Sequence, residues 1–108
     1  MGFNPKDMQK MVKQMQKMQA DMARIQDELK FEKVEARAGG VVTVVFNGHG
    51  DLESITILPE AVDPNDVEML QDLILGAVQE GQAKAQALAQ ERLGQVAGSL
   101  NMPGLPGF

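Results

Sequence analysis

Five basic residues near the start of the chain are spaced to lie along one side of a helix. At about 100° per residue they fall within a sector of roughly 60°, and no acidic residue enters that sector between the first and the last of them. They are Lys6, Lys10, Lys13, Lys17 and Arg24. A row of such cations can bind phosphate groups, and that binding depends strongly on salt. Because only Arg24 has the planar donors that bind a base edge in pairs, the row predicts little sequence discrimination.

The charge of the chain is unevenly distributed. The formal net charge is −5. Residues 1–30 hold six basic and four acidic side chains, whereas residues 31–108 hold four basic and eleven acidic ones. A lysine row on a helix often serves only to keep that face solvated, and this interpretation stays open. The concentration of positive charge at one end of an otherwise acidic chain nevertheless favours an anionic partner.

The remaining polar residues do not indicate catalysis. His49 is the single histidine and lies between two glycines, with no neighbouring Ser or Cys to activate. The chain has no cysteine, and Asp63, Asp66 and Glu68 lack the ligand spacing of a calcium loop. We therefore expect a protein that is not an enzyme, with no catalytic residue, no metal site, no cofactor and no small-molecule substrate.

A second pattern supports the long helix that the basic row requires. Seven apolar residues alternate in spacings of three and four, which is the a/d pattern of a coiled coil. They are Met8, Met11, Met15, Met18, Met22, Ile25 and Leu29. This seam predicts a helix from about Pro5 to Lys30 that packs against a partner helix, on a side about 145° from the basic row. Methionine thioethers could bind a soft metal, but we favour packing for this seam.

After this helix the apolar period changes from 3.5 to 2, which indicates strands. The pattern predicts strands over residues 34–38 and 41–46, joined by a two-residue turn at Gly39-Gly40. Residues 47–51 have the composition of a turn, and residues 52–58 alternate as a third strand. Three neighbouring strands with short connections predict an antiparallel meander.

A second long helix follows the strands. Asp63 is its expected N-cap, Pro64 its first residue, and Val96 lies near its expected end. Gly76 and Gly81 each lower helix propensity by about 1 kcal/mol, so each either permits a close approach or is simply tolerated. The fold class is therefore α+β, in the order α-β-β-β-α, with a three-stranded antiparallel meander between two long helices.

The chain is expected to hold a single domain. Residues 1–97 form that domain, and residues 98–108 form a flexible tail rich in Gly and Pro. The start of the chain has no continuous apolar stretch of the kind found in signal peptides. No segment reaches the roughly 20 apolar residues of a membrane span. We therefore expect a cytoplasmic protein without a membrane partner.

The order of these sequence features resembles the YbaB/EbfC family of bacterial nucleoid-associated proteins. The resemblance covers nearly the whole chain and rests on the ordered set of segments, because no single motif is specific. The segments are Met8-Gln9-Lys10-Met11, Gly39-Gly40-Val41-Val42-Thr43-Val44, Asn47-Gly48-His49-Gly50, Ile55-Thr56-Ile57, Met69-Leu70-Gln71-Asp72-Leu73-Ile74 and Leu100-Asn101-Met102-Pro103-Gly104. Gln71 departs from the family pattern, in which an acidic residue is usual.

This resemblance implies a homodimer shaped like tweezers, with the sheets at the centre and helical arms projecting. It implies binding to double-stranded DNA in the cytoplasm, at the nucleoid, that alters DNA conformation and influences gene expression. It also implies no enzyme activity and no cofactor. The family offers no fixed set of DNA-contacting residues to transfer, so the assignment of DNA contacts rests on the basic row.

Two functions from different classes remain open for this sequence. The first is a homodimeric DNA-binding protein that uses the basic row. The second is a protein–protein interaction adaptor that uses the Met-lined first helix and has no role with nucleic acid. The sequence does not decide whether the seam or the sheet forms the dimer interface, or whether the second helix contacts DNA.

Overall fold

The computed structural model describes residues 4–99, with side chains described as far as Val96. The order α-β-β-β-α is confirmed. Helix α1 covers Pro5–Phe31 and helix α2 covers Val67–Ser99, with the strands β1, Lys33–Ala38, β2, Val42–Asn47, and β3, Leu52–Ile57, between them. One turn of 3₁₀ helix, Pro59–Ala61, precedes α2. Gly98 and Ser99, which were expected to begin the tail, belong to α2, and the rest of the predicted tail, residues 100–108, lies outside the described part and stays a prediction.

The two helices begin by different means. Asn4 caps α1, which begins at Pro5 as predicted, since the Asn4 side-chain oxygen accepts a hydrogen bond from the Lys6 amide at 3.1 Å. The predicted start of α2 at Asp63 and Pro64 is wrong. Asp63 instead forms a turn, because its carbonyl oxygen accepts from the Asp66 amide at 2.9 Å. Asp66 then caps the helix, with its carboxylate accepting from the Met69 amide at 3.2 Å.

The sheet has the strand order β1-β2-β3, with both pairs antiparallel. The predicted turn at Gly39-Gly40 is present, because the Val41 amide donates to the Ala38 carbonyl oxygen at 3.2 Å across these two residues. Gly39 and Gly40 both adopt the left-handed conformation, at φ 58° and 69°, which this kind of tight turn requires and which favours glycine. The connection is one residue longer than predicted, because Ala38 pairs with Val42 and Val41 lies outside the pairing. The register of β2 against β3 shifts between Val45 and Phe46.

Helix α2 covers one face of the sheet and forms the main core with it. The buried side chains of this core are Ala36, Val42, Val44, Phe46, Ala77 and Ala85. Gly81 is also buried, and a Cβ atom built there would lie 2.6 Å from the Phe46 ring. The close approach of helix and sheet therefore depends on the missing side chain at Gly81.

The C-terminal part of α2 extends past the sheet and packs against α1. Ile25, Leu29 and Val96 are buried there, and Leu88, Ala89 and Leu93 pack against them. The two helices run antiparallel, because Val96 lies beside Asp21 and Ile25 whereas Arg92, earlier in α2, contacts Glu32 at the end of α1. The ion pair between Arg92 and Glu32 ties α2 to the residue that ends α1.

The turn between β2 and β3 holds the end of α1 in place. The Gly48 amide donates to the carbonyl oxygens of Leu29, at 2.8 Å, and Glu32, at 3.0 Å. The His49 ring donates from Nε2 to the carbonyl oxygen of Gln26. The last four carbonyl groups of a helix lack partners within the helix, and Gly48 satisfies one of them, that of Leu29. Together with the bonds to Gln26 and Glu32, this contact fixes the direction in which α1 leaves the sheet.

The two glycines of α2 give a matched test of the packing. Gly81→Ala should lower the free energy of unfolding by about 1–3 kcal/mol, because the methyl group would overlap the Phe46 ring. Gly76→Ala should raise it by up to about 1 kcal/mol, because nothing lies within 4 Å of the added atom and helix propensity improves. Urea unfolding followed by circular dichroism measures both. Equal effects of the two substitutions would contradict this account of the helix–sheet contact.

Candidate functional site

The four lysines of the basic row lie on the N-terminal half of α1 and point into solvent. Lys6, Lys10, Lys13 and Lys17 are all exposed. Their ammonium groups make no ion pair or hydrogen bond within the part of the chain that the structure describes. At about 1.5 Å of rise per residue they place one positive charge on each turn of the helix, over roughly 17 Å.

Arg24 differs from the four lysines because acidic residues of its own helix engage it. Its guanidinium donates to the Glu28 carboxylate at 3.0 Å and lies 3.8 Å from the Asp21 carboxylate. Both acids stand at the helical spacings of three and four residues that bring side chains together. Sequence reasoning missed these pairs, although the spacing alone could have identified them. The basic row therefore consists of four unpaired lysines and one paired arginine.

The apolar seam is also divided into two parts along α1. Ile25 and Leu29 are buried, at 4% and 1% exposure, by the contact with α2. Met8 and Met15 are 55% and 61% exposed, and Met11 and Met22 are exposed as well. Met18 is half-buried. The predicted packing against a partner helix is thus present within one chain at the last two positions of the seam, and the partner there is α2.

The acidic residues of the chain are concentrated away from the lysines. Residues 51–72 contain seven acidic side chains and no basic one. This segment includes β3 and the start of α2, whereas the far end of α2 contacts α1. The molecule is elongated, with a longest dimension of 76 Å. Positive and negative charge therefore occupy opposite ends of a long body.

An apolar surface lies beside the outer edge of the sheet. Strand β3 is an edge strand, and no further strand pairs with it within residues 4–99. Leu52 and Ile55 pair with Phe46 and Val44, which places them on the face that α2 covers, yet both are 43% exposed. Further exposed apolar side chains follow along the chain as far as the first turns of α2, and we call the whole set the edge patch: Leu52, Ile55, Leu58, Val62, Val67, Met69 and Leu75.

His49 is used in structure, because its ring hydrogen bond holds the end of α1. Among the described residues, no group of three or more His, Cys, Asp or Glu side chains could hold a metal ion. No described helix is both long enough and apolar enough to cross a membrane. The most distinctive chemical feature of the structure is thus the row of unpaired lysines.

Comparisons with known proteins agree with the sequence resemblance. Residues 3–100 match the YbaB/EbfC DNA-binding family. A nucleoid-associated protein of Pelotomaculum thermopropionicum is 54% identical over 106 residues, which cover 97% of this chain and 98% of the relative. A nucleoid-associated protein of Roseiflexus sp. is 50% identical over 102 residues, covering 94% and 99%.

A solved structure supports the fold independently. The crystal structure of an uncharacterized protein from Helicobacter pylori superposes with a TM-score of 0.59 and 22% identity, over 79% of this chain and 96% of that chain. At this identity the likeness concerns the fold alone. From the match over nearly its whole length and the relatives with about half of their residues identical, the chain belongs to the YbaB/EbfC DNA-binding family.

Proposed function

We propose that this chain binds double-stranded DNA as a homodimer with little sequence specificity, through the lysines of α1. Binding would alter the conformation of the DNA and contribute to nucleoid organisation and gene expression in the bacterial cytoplasm. The observation that carries the proposal is the row of four exposed lysines that have no ion-pair partner within residues 4–99. Family membership and the nucleoid-associated relatives support it.

The lysines suit contacts with the DNA backbone. Phosphate contacts fix the position of a protein on the duplex but carry no sequence information, and lysine binds phosphate as a point charge. Arg24 could have read a base, but its ion pairs with Asp21 and Glu28 compete with any such contact. The structure thus favours binding that tolerates many sequences.

The acidic segment of residues 51–72 favours an orientation in which α1 faces the DNA and the acidic end of the molecule points away from it. A duplex is repelled by the seven carboxylates of residues 51–72 and attracted by the lysines of α1. The overall charge of −5 is therefore compatible with DNA binding, because the two ends of the molecule act separately over distances greater than the Debye length of about 8 Å.

Replacing Lys10, Lys13 and Lys17 with Glu should abolish binding to duplex DNA, since it removes three phosphate contacts and adds three repulsive charges. Replacing the same three residues with Arg should retain binding, because the charge is kept. A gel shift across a salt series measures both, and the wild type should lose affinity with a slope of about −0.9 per phosphate contacted. Retained affinity in the Glu variant, with its oligomeric state unchanged, would assign DNA binding to another surface. No binding by the wild type at low salt would favour the adaptor function.

Lys17 and Arg24 should contribute unequally although both are basic residues on the same side of α1. Lys17→Ala should lower the affinity roughly fivefold and reduce the salt slope by about 1. Arg24→Ala should change the affinity by less than about twofold, because Asp21 and Glu28 already neutralise the guanidinium. Fluorescence anisotropy with labelled DNA at several salt concentrations measures the difference. A larger effect at Arg24 would show that DNA displaces its ion pairs.

The edge patch supports the dimer in this proposal. An unpaired edge strand with exposed apolar residues on one face favours pairing with another chain. The patch combines Leu52 and Ile55 on the strand with exposed apolar side chains on the connection to α2 and on its first turns. A second copy placed there would cover the apolar face and extend the sheet, and the lysines of both α1 helices would stay free.

Ile55→Lys should convert the dimer to a single chain of 11.7 kDa, because it places a charge in the middle of the apolar edge patch. Thr56→Lys is the matched control, since Thr56 is exposed on the opposite face of the same strand. Sedimentation or light scattering gives the mass of each variant. An unchanged mass for Ile55→Lys in dilute solution would exclude the edge patch as the dimer interface.

A further inference from the structure

The N-terminal half of α1 carries an apolar surface that nothing in the described chain covers. We call it the exposed seam, and it consists of the first five positions of the heptad pattern: Met8, Met11, Met15, Met18 and Met22. Four of these side chains are exposed, Met15 most of all at 61%. Val12 lies beside them and is 51% exposed. A strip of this length on a single helix is apolar surface that a second helix could cover.

The spacing of the exposed seam points to a helix as its partner. The positions alternate by three and four residues without interruption, which keeps the strip straight along a two-stranded coil. The same strip continues into Ile25 and Leu29, where it already packs against α2 in antiparallel fashion. The C-terminal part of the heptad pattern therefore shows that this pattern is used for helix–helix contact in this protein.

The residues that flank the exposed seam do not oppose a second copy. With Met8 and Met15 at a positions and Met11 at d, the e and g positions from residue 7 to residue 21 are Asp7, Val12, Gln14, Gln19 and Asp21. Asp7 and Asp21 are the charged residues among these five, and the Asp21 carboxylate already lies 3.8 Å from the guanidinium of Arg24. In a coiled coil, like charges at e and g positions repel and thereby select against a partner. In this half of α1 such repulsion is limited to these two acids.

The lysines occupy the other side of the same helix. Lys6 and Lys13 fall at f positions, and Lys10 and Lys17 fall at c positions. Two helices joined through their a and d positions would therefore keep all their lysines on the outside of the pair. Charge repulsion between the two basic rows is small in that arrangement, and the rows stay accessible to phosphate.

We propose that the exposed seam pairs with the exposed seam of a second copy of this chain in an antiparallel two-stranded coil. The antiparallel orientation follows from the position of the sheet and α2, here called the body of the molecule. The body adjoins α1 at Ile25 and Leu29, near one end of the helix. In a parallel pair the two bodies would meet at the same end, whereas an antiparallel pair places them at opposite ends. Because the edge patch lies on β3 and the start of α2, this contact is separate from the dimer interface proposed above and links one dimer to the next.

The consequence is an assembly that can hold more than one duplex. Each paired arm would present a row of lysines on each of its outer sides, and each row belongs to a different dimer. Dimers joined in this way through their arms would bring together the DNA segments that they bind. The proposed self-association does not require DNA, so it can be measured on the protein alone.

The test compares the full chain with two double variants at Met11 and Met15. Replacing both with Gln removes the apolar surface while the charge is unchanged, and Met and Gln have similar helix propensities. Replacing both with Leu keeps an apolar seam and serves as the matched control. Sedimentation velocity over a concentration series, without DNA, should show that the wild type and the Leu variant form species larger than the dimer. The Gln variant should remain a dimer at every concentration.

Equal mass distributions in all three proteins would overturn the proposal. The Ile55→Lys variant separates the two contacts, since it should remove the dimer while leaving seam-dependent pairing of two single chains at high concentration. The exposed seam could instead be covered by residues 100–108 of the same chain, which contain four apolar residues. A shortened chain that ends at Ser99 tests this alternative. If the full chain stays dimeric and only the shortened chain forms larger species, that segment covers the seam and the proposal is wrong.

Discussion

The packing of α2 against two different partners determines the shape of this molecule. Its middle section covers the sheet at Ala77, Gly81 and Ala85, and its last turns cover Ile25 and Leu29 of α1. Small side chains let the helix approach the sheet closely in the first contact, whereas larger ones such as Leu88 and Leu93 fill the second. Because a single rigid helix makes both contacts, the direction of α1 is fixed relative to the sheet. The arm, its lysines and its exposed seam all depend on that arrangement.

Much of this fold could be predicted from the sequence because local signals were strong. The change of apolar period separates α1 from the strands, and Asn4 with Pro5 marks the start of α1 within one residue. The start of α2 was misplaced because two acidic residues, Asp63 and Asp66, both suit an N-cap. Only the turn that forms between them decides which one caps the helix.

The site was predicted in outline and less well in detail. The sequence placed the lysines on one side of α1, and the structure shows them exposed there. The ion pairs of Arg24 with Asp21 and Glu28 were missed, because the pattern of basic residues was interpreted without the acidic residues three and four positions away. The edge patch could not be found from the sequence at all. Ile55 has the alternation of a buried strand residue, and its exposure results from how far α2 extends across the sheet.

The arrangement of residues on α1 separates two kinds of interaction that would otherwise compete. A helix that binds DNA through cations and another helix through apolar residues needs the two surfaces on different sides. On α1 the lysines take the c and f positions and the methionines take the a and d positions, so covering one side leaves the other open. Asp21 and Glu28 add to this separation, since they neutralise Arg24 in the part of α1 that contacts α2. Apart from Lys30 at the end of the helix, the unpaired positive charge of α1 therefore lies in the part beyond the contact with α2, which is also the part where the seam is exposed.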